Sequence, residues 1–115
     1  MLVAISIPIF TAQLRKSRLA TNQANARSAV AEATAKMLDD KNTATTFTYT
    51  VNGATIAASG TAASGNVDIG NWGVDTEIGG KKLGDSVATA WIITFNAATA
   101  SSDASLAGIS GTFPA

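Results

Sequence analysis

Residues 2–32, LVAISIPIFTAQLRKSRLATNQANARSAVAE, join an apolar run carrying one proline to a polar, alanine-rich segment, with no break between them. This pattern places one half of a helix in apolar surroundings and docks the other half on a water-soluble domain. Leu2 to Phe10 falls far short of the roughly 20 apolar residues that a membrane-spanning helix needs. No basic region precedes it and no small-residue cleavage site follows, so it does not read as a signal peptide. The stretch is expected to be the last part of a longer apolar helix, truncated ahead of Leu2.

The spacing predicts a helix from Leu2 to Leu38. Leu19, Ala26, Val30, Ala33 and Met37 recur at three-, four- and seven-residue steps and fall on one stripe. That stripe is where a sheet would dock, with Val30 and Met37 buried beneath Trp91 or its strand neighbours. Ala20, Ala24, Ala31 and Ala35 are small, so the opposite faces can approach other helices closely. Asp39-Asp40 sit at the unfavourable end of the helix dipole and mark its termination. Pro8 removes a backbone hydrogen bond at a cost of about 3 kcal/mol in water. In lipid or a helix bundle, neighbouring helices can satisfy the freed carbonyl. Otherwise the helix would start near Pro8.

After the helix the period changes to two. Phe47, Tyr49 and Val51 alternate with Thr46, Thr48 and Thr50, and Asn52-Gly53 has the composition of a two-residue hairpin turn with Ala54 to Ala57 returning. Val87, Thr89, Trp91, Ile93 and Phe95 form one face of a longer strand, and Ile109, Gly111 and Phe113 a last short one. The fold class is therefore α+β: a long N-terminal helix packed on a small antiparallel sheet. Between the strands lie two Gly-rich loops, Ser59 to Gly65 and Val67 to Asp85.

The block Ile5-Ser6-Ile7-Pro8-Ile9-Phe10, followed by Gln13-Leu14, Lys16-Ser17-Arg18 and Asn25-Ala26-Arg27, resembles the N-terminal helix of type IV pilins. The likeness is strongest to the cysteine-free pilins of Gram-positive bacteria and covers about the first third of the chain. The family's basic leader and the Phe-Thr-Leu-Ile-Glu sequence after it are absent. Arg15 stands where relatives often carry an acid. The resemblance implies the type IV pilin fold, with residues 1–14 as the remnant of the membrane anchor and filament core and residues 15–115 as the globular domain. It implies a structural subunit of a type IV pilus for adhesion or twitching motility. Such a subunit would be held in the cytoplasmic or inner membrane before an assembly machinery stacks it with copies of itself at the cell surface. Leu2, Val3, Ile5, Ile7, Pro8, Ile9, Phe10 and Leu14 would then pack between subunits. A pseudopilin of type II secretion or a competence pilin is the alternative within the family, and a soluble secreted binding module the alternative outside it.

The remaining residues point away from catalysis. With neither His nor Cys among 115 residues, the commonest base, nucleophile and soft metal ligands are missing. No enzyme activity and no cofactor are expected. Eight basic and eight acidic residues balance to zero, so no general attraction to nucleic acid is expected. Asp68, Asn71, Asp75 and Glu77 are weak calcium candidates, oxygen ligands in a Gly-rich loop whose spacing matches no EF-hand. A solvated turn is the preferred reading, and no metal site is assigned. Arg15 and Arg18 lie together on the helix, apart from Lys16. They are expected to stand clear of the domain and to pair with acids of a neighbouring subunit, with Glu32, Asp39 and Asp40 as candidates.

Overall fold

The computed structural model describes residues 2–38, 44–96, 101 and 104–114, with side chains from residue 11 onward. The expected helix is present as α1, Leu2–Leu38, and it includes Pro8 rather than starting there. Among the described residues six strands follow: β1 Thr46–Thr50, β2 Thr55–Ala57, β3 Glu77–Ile78, β4 Lys81–Lys82, β5 Ala90–Asn96 and β6 Ser105–Thr112. β2, β1, β5 and β6 form one antiparallel sheet in that order, while β3 and β4 pair as a small separate hairpin. The α+β architecture is thus present: one long helix laid on a small antiparallel sheet.

Strand alternation supplies the core. Phe47, Tyr49, Trp91, Ile93, Phe95 and Ile109 are buried on the face toward α1, and the register sets Phe47 beside Ile93 and Ile93 beside Ile109. Trp91 stacks on Trp72 with ring centroids 5.5 Å apart and meets Phe113 edge-on. The helix contributes small residues. Ala26, Ala29 and Ala33 are fully buried, so its backbone can lie close to the sheet while aromatic side chains fill the volume. Ala20, Ala24, Ala31 and Ala35 face solvent, as the pattern required.

Several expectations need correction. The β1–β2 turn has four residues, because Thr50 pairs with Thr55 and the Ala54 amide donates to the Val51 carbonyl at 3.1 Å. Of the Asn52-Gly53 pair only Gly53 has positive φ (94°), as at the third position of a type II turn, whereas the expected two-residue turn needs both. β5 begins at Ala90, three residues after Val87. β6 is longer than the short strand expected, with a register shift opposite Thr94 and Phe95 that leaves Ala107 without a partner on β5. The extra residue turns Leu106 to the same face as Phe95, where strict alternation would have pointed it outward.

Val30 and Met37 pack against the core beside Phe95, a strand neighbour of Trp91, but neither is fully buried as expected. Both are half-buried and flank the line of alanines. With Phe95 and Leu106 they line an open groove of about 490 Å³ at the end of α1. Asp39-Asp40, expected to end the helix, lie outside the described residues.

The 59–65 loop is not a free excursion. It crosses the outer face of the sheet: the Thr48 hydroxyl donates to the Ser59 carbonyl, and the Ala63 amide donates to the Thr94 hydroxyl, both at 2.9 Å. Gly65 then bridges Gly108 in parallel on the outer edge of β6. A Cβ at Gly108 would overlap the Ala63 carbonyl, so only glycine admits this strap. The loop thus shields one edge of the sheet from pairing with other chains.

Candidate functional site

The helix projects beyond the domain. All four residues from Thr11 to Leu14 are exposed, and Arg15 is the first half-buried position among the residues whose side chains are described. At 1.5 Å per residue, residues 2–14 extend the helix about 20 Å past that point. The molecule measures 65 Å along its longest axis with a radius of gyration of 16.3 Å, against about 13 Å for a compact domain of this size. Leu2, Val3, Ile5, Ile7, Pro8, Ile9 and Phe10 all belong to this projecting helix. Their side chains lie outside the described residues. Leu14 ends the run and is 39% exposed. Among the described residues no helix is long and apolar enough to cross a membrane.

Where the helix meets the domain, its side chains reach into the 69–88 segment. Arg15 donates through Nη2 to Asp75 Oδ1 at 2.9 Å and to the Val74 carbonyl at 3.2 Å, and through Nε to Asp85 Oδ1 at 3.0 Å. Arg18 donates to the Gly84 carbonyl at 3.4 Å. Gln23 donates to the Ile69 carbonyl at 2.9 Å. Asn22 is fully buried. Its amide donates to the carbonyls of Leu83 (2.9 Å) and Ser86 (2.8 Å), and its oxygen accepts from the Ala88 amide at 3.0 Å. A polar ladder of 15, 18 and 22 therefore continues the apolar stripe of 26, 29 and 33 along the same helix face.

This corrects the expectation for the arginines. Arg15 and Arg18 do not stand clear of the domain, because acids and carbonyls of their own chain meet them first. Glu32 is exposed, and no ion pair to it occurs among the described residues. Asp40, the other acid suggested with Asp39, also lies outside them. The sequence reading missed Asn22, Gln23 and Asp85. For Asn22 a signal existed: it is three residues from Leu19 and four from Ala26, so an amide sits on an apolar stripe and must find partners.

The calcium candidates are dispersed. Asn71 donates to the Asp68 carboxylate, Asp75 is engaged by Arg15, and Glu77 lies on β3 opposite Lys82 of β4. Among the described residues no three acidic side chains are grouped to hold a metal ion.

The Arg15 hydrogen bond and charge, with a smaller contribution from Lys82 at 3.8 Å, hold the Asp75 carboxyl below the usual carboxylate range. Arg15 is correspondingly raised, first by its bond to Asp75. Because the folded pKa of Asp75 is depressed, its contribution is complete above the unfolded value of about 3.9 and fades as pH falls through the folded one. With Asp75 71% exposed, the contribution is small, as for surface pairs generally. The Asp75→Asn variant should therefore melt slightly lower than the parent at neutral pH, and the difference should vanish on acidification. Melting curves across the acid range check this. A difference that persists in strong acid would remove the ion pair as its cause.

No protein-family model, curated protein or solved structure matches the chain.

Proposed function

We propose that this chain is a non-catalytic structural subunit of a type IV pilus, assembled by packing its projecting N-terminal helix against copies of itself. One observation carries the reading: a single helix whose residues from Arg15 to Met37 dock on the domain, while an uncharged apolar segment continues beyond it. A lone domain has no use for that overhang. An apolar surface left without a partner drives association, and a helical stack of identical subunits buries it in every copy. In this reading the apolar half-helix sits in the cytoplasmic or inner membrane until an assembly machinery draws it into the filament. The globular domain lies at the filament surface, where the pilus serves adhesion or motility. Nucleic acid is not a partner in this reading, and the engagement of Arg15 and Arg18 within the chain fits that.

Antibody labelling of this chain on cells of the source organism, viewed by electron microscopy, tests the proposal. Label should run along thin extracellular filaments. Label confined to the cell periphery while the assembly machinery is present would replace the pilus with the pseudopilin reading. Label in the medium with no filaments would favour a secreted binding module.

A further inference from the structure

We propose that Asn52 is a site of spontaneous deamidation, through which the chain acquires a carboxylate at the tip of the β1–β2 hairpin. In this chemistry the backbone nitrogen of the following residue attacks the asparagine Cγ. The bond from Cγ to the side-chain nitrogen breaks, ammonia leaves, and a five-membered succinimide forms. Water then opens the ring at either carbonyl. One opening gives aspartate, and the other gives isoaspartate, in which the main chain runs through the former side chain. Amide and water become carboxylate and ammonium, and nothing is oxidised or reduced.

The attack needs an unhindered nitrogen, a side chain held by nothing else and a backbone able to rearrange. Asn52 meets the first two conditions, since among the described residues no hydrogen bond holds its side chain, and it lies in a turn rather than inside a helix or strand. Its neighbour is Gly53, which has no Cβ to shield the nitrogen. Both residues are exposed in the 51–54 turn.

The other described asparagines fail at least one condition. Asn22 is buried and held by three hydrogen bonds. Asn71 donates to Asp68 and precedes Trp72, and Asn96 donates to the Ser105 hydroxyl. Asn25 is fixed within α1, and Asn66 precedes the β-branched Val67.

The modification would change the molecule in two ways. A formally neutral chain gains a negative charge on an exposed tip. Isoaspartate also adds an atom to the main chain between Thr50 and Thr55, which are paired. β2 has three residues and, among the described residues, no strand on its far side, whereas β1 is held by β5 as well. The lengthened turn should unseat β2 and leave β1 in place.

The test is to incubate the folded chain in isotopically heavy water at mildly alkaline pH, beside a chemically unfolded sample, and map the products by peptide mass spectrometry. Heavy oxygen should enter the peptide containing Asn52 in the folded chain, ahead of any peptide containing Asn25, Asn66, Asn71 or Asn96. The new acidic species should be lost entirely in Asn52→Gln. Hydrogen exchange of the isoaspartyl product should accelerate at Thr55–Ala57 and remain slow at Phe47–Tyr49. A folded chain that keeps Asn52 intact while the unfolded chain converts would overturn the proposal, as would earlier conversion at another asparagine.

Discussion

Replacing Asn22 with leucine is expected to destabilise the protein by about 3–5 kcal/mol, since each buried polar group left unpaired costs about 1–3 kcal/mol. Leucine is close to asparagine in shape and better suited to an apolar stripe, so a transfer argument alone would favour it. The hydrogen bonds decide otherwise. Asn22 satisfies the carbonyls of Leu83 and Ser86 and the amide of Ala88. Those groups belong to the 83–88 segment, which has no strand pairing of its own. Without Asn22 they must stay unpaired or turn outward to water, and turning outward would pull Leu83 and Ala88 from the core. Chemical denaturation gives the stability, and hydrogen exchange should show the 83–88 amides opening before the rest of the domain. Gln23→Ala removes one half-buried bond to a single carbonyl and should cost far less. An Asn22→Leu effect below about 0.5 kcal/mol, the range of ordinary surface substitutions, would mean that the segment is held by its apolar contacts alone.

Period-two alternation around Phe47 and Trp91 made the central strands legible, because each strand buries one face against α1. The long helix was legible for a similar reason: its apolar and alanine positions repeat with helical spacing. Leu106 was not legible, since the register shift opposite Phe95 reverses which face it joins and leaves no mark in local composition. The two loops looked open because Gly, Ser and Thr dominate them. Their order comes from contacts distant in sequence, Thr48 and Thr94 beneath the 59–65 strap and the Arg15–Asn22 ladder beside the 69–88 segment. Reading Arg15 and Arg18 as outward charges followed from treating the stripe as apolar only. Positions 15, 18 and 22 continue the same face, and a polar residue on a docking face selects a polar loop as its partner.

The largest expected effect concerns the overhang. With Ile5 and Ile9 both changed to Asp, filaments should be lost entirely while the isolated domain melts as before. The two positions are four apart, so they fall on one side of the helix, about one turn from each other. Each fully buried isoleucine contributes roughly 1.5–3 kcal/mol, and a filament multiplies this at every subunit. A carboxylate placed in that packing must lose its hydration or be protonated, and either costs more than the isoleucine gave. The domain should be indifferent, because Arg15, Arg18, Asn22 and Gln23 are the helix residues seen bonded to it and Ala26, Ala29 and Ala33 form its core on α1. Filament counts on cells and the melting temperature of the purified chain measure the two halves of the expectation separately. A lower melting temperature would place Ile5 or Ile9 within the domain's own packing. Intact filaments with an unchanged domain would show that subunits join through another surface, and the pilus reading would lose its physical basis.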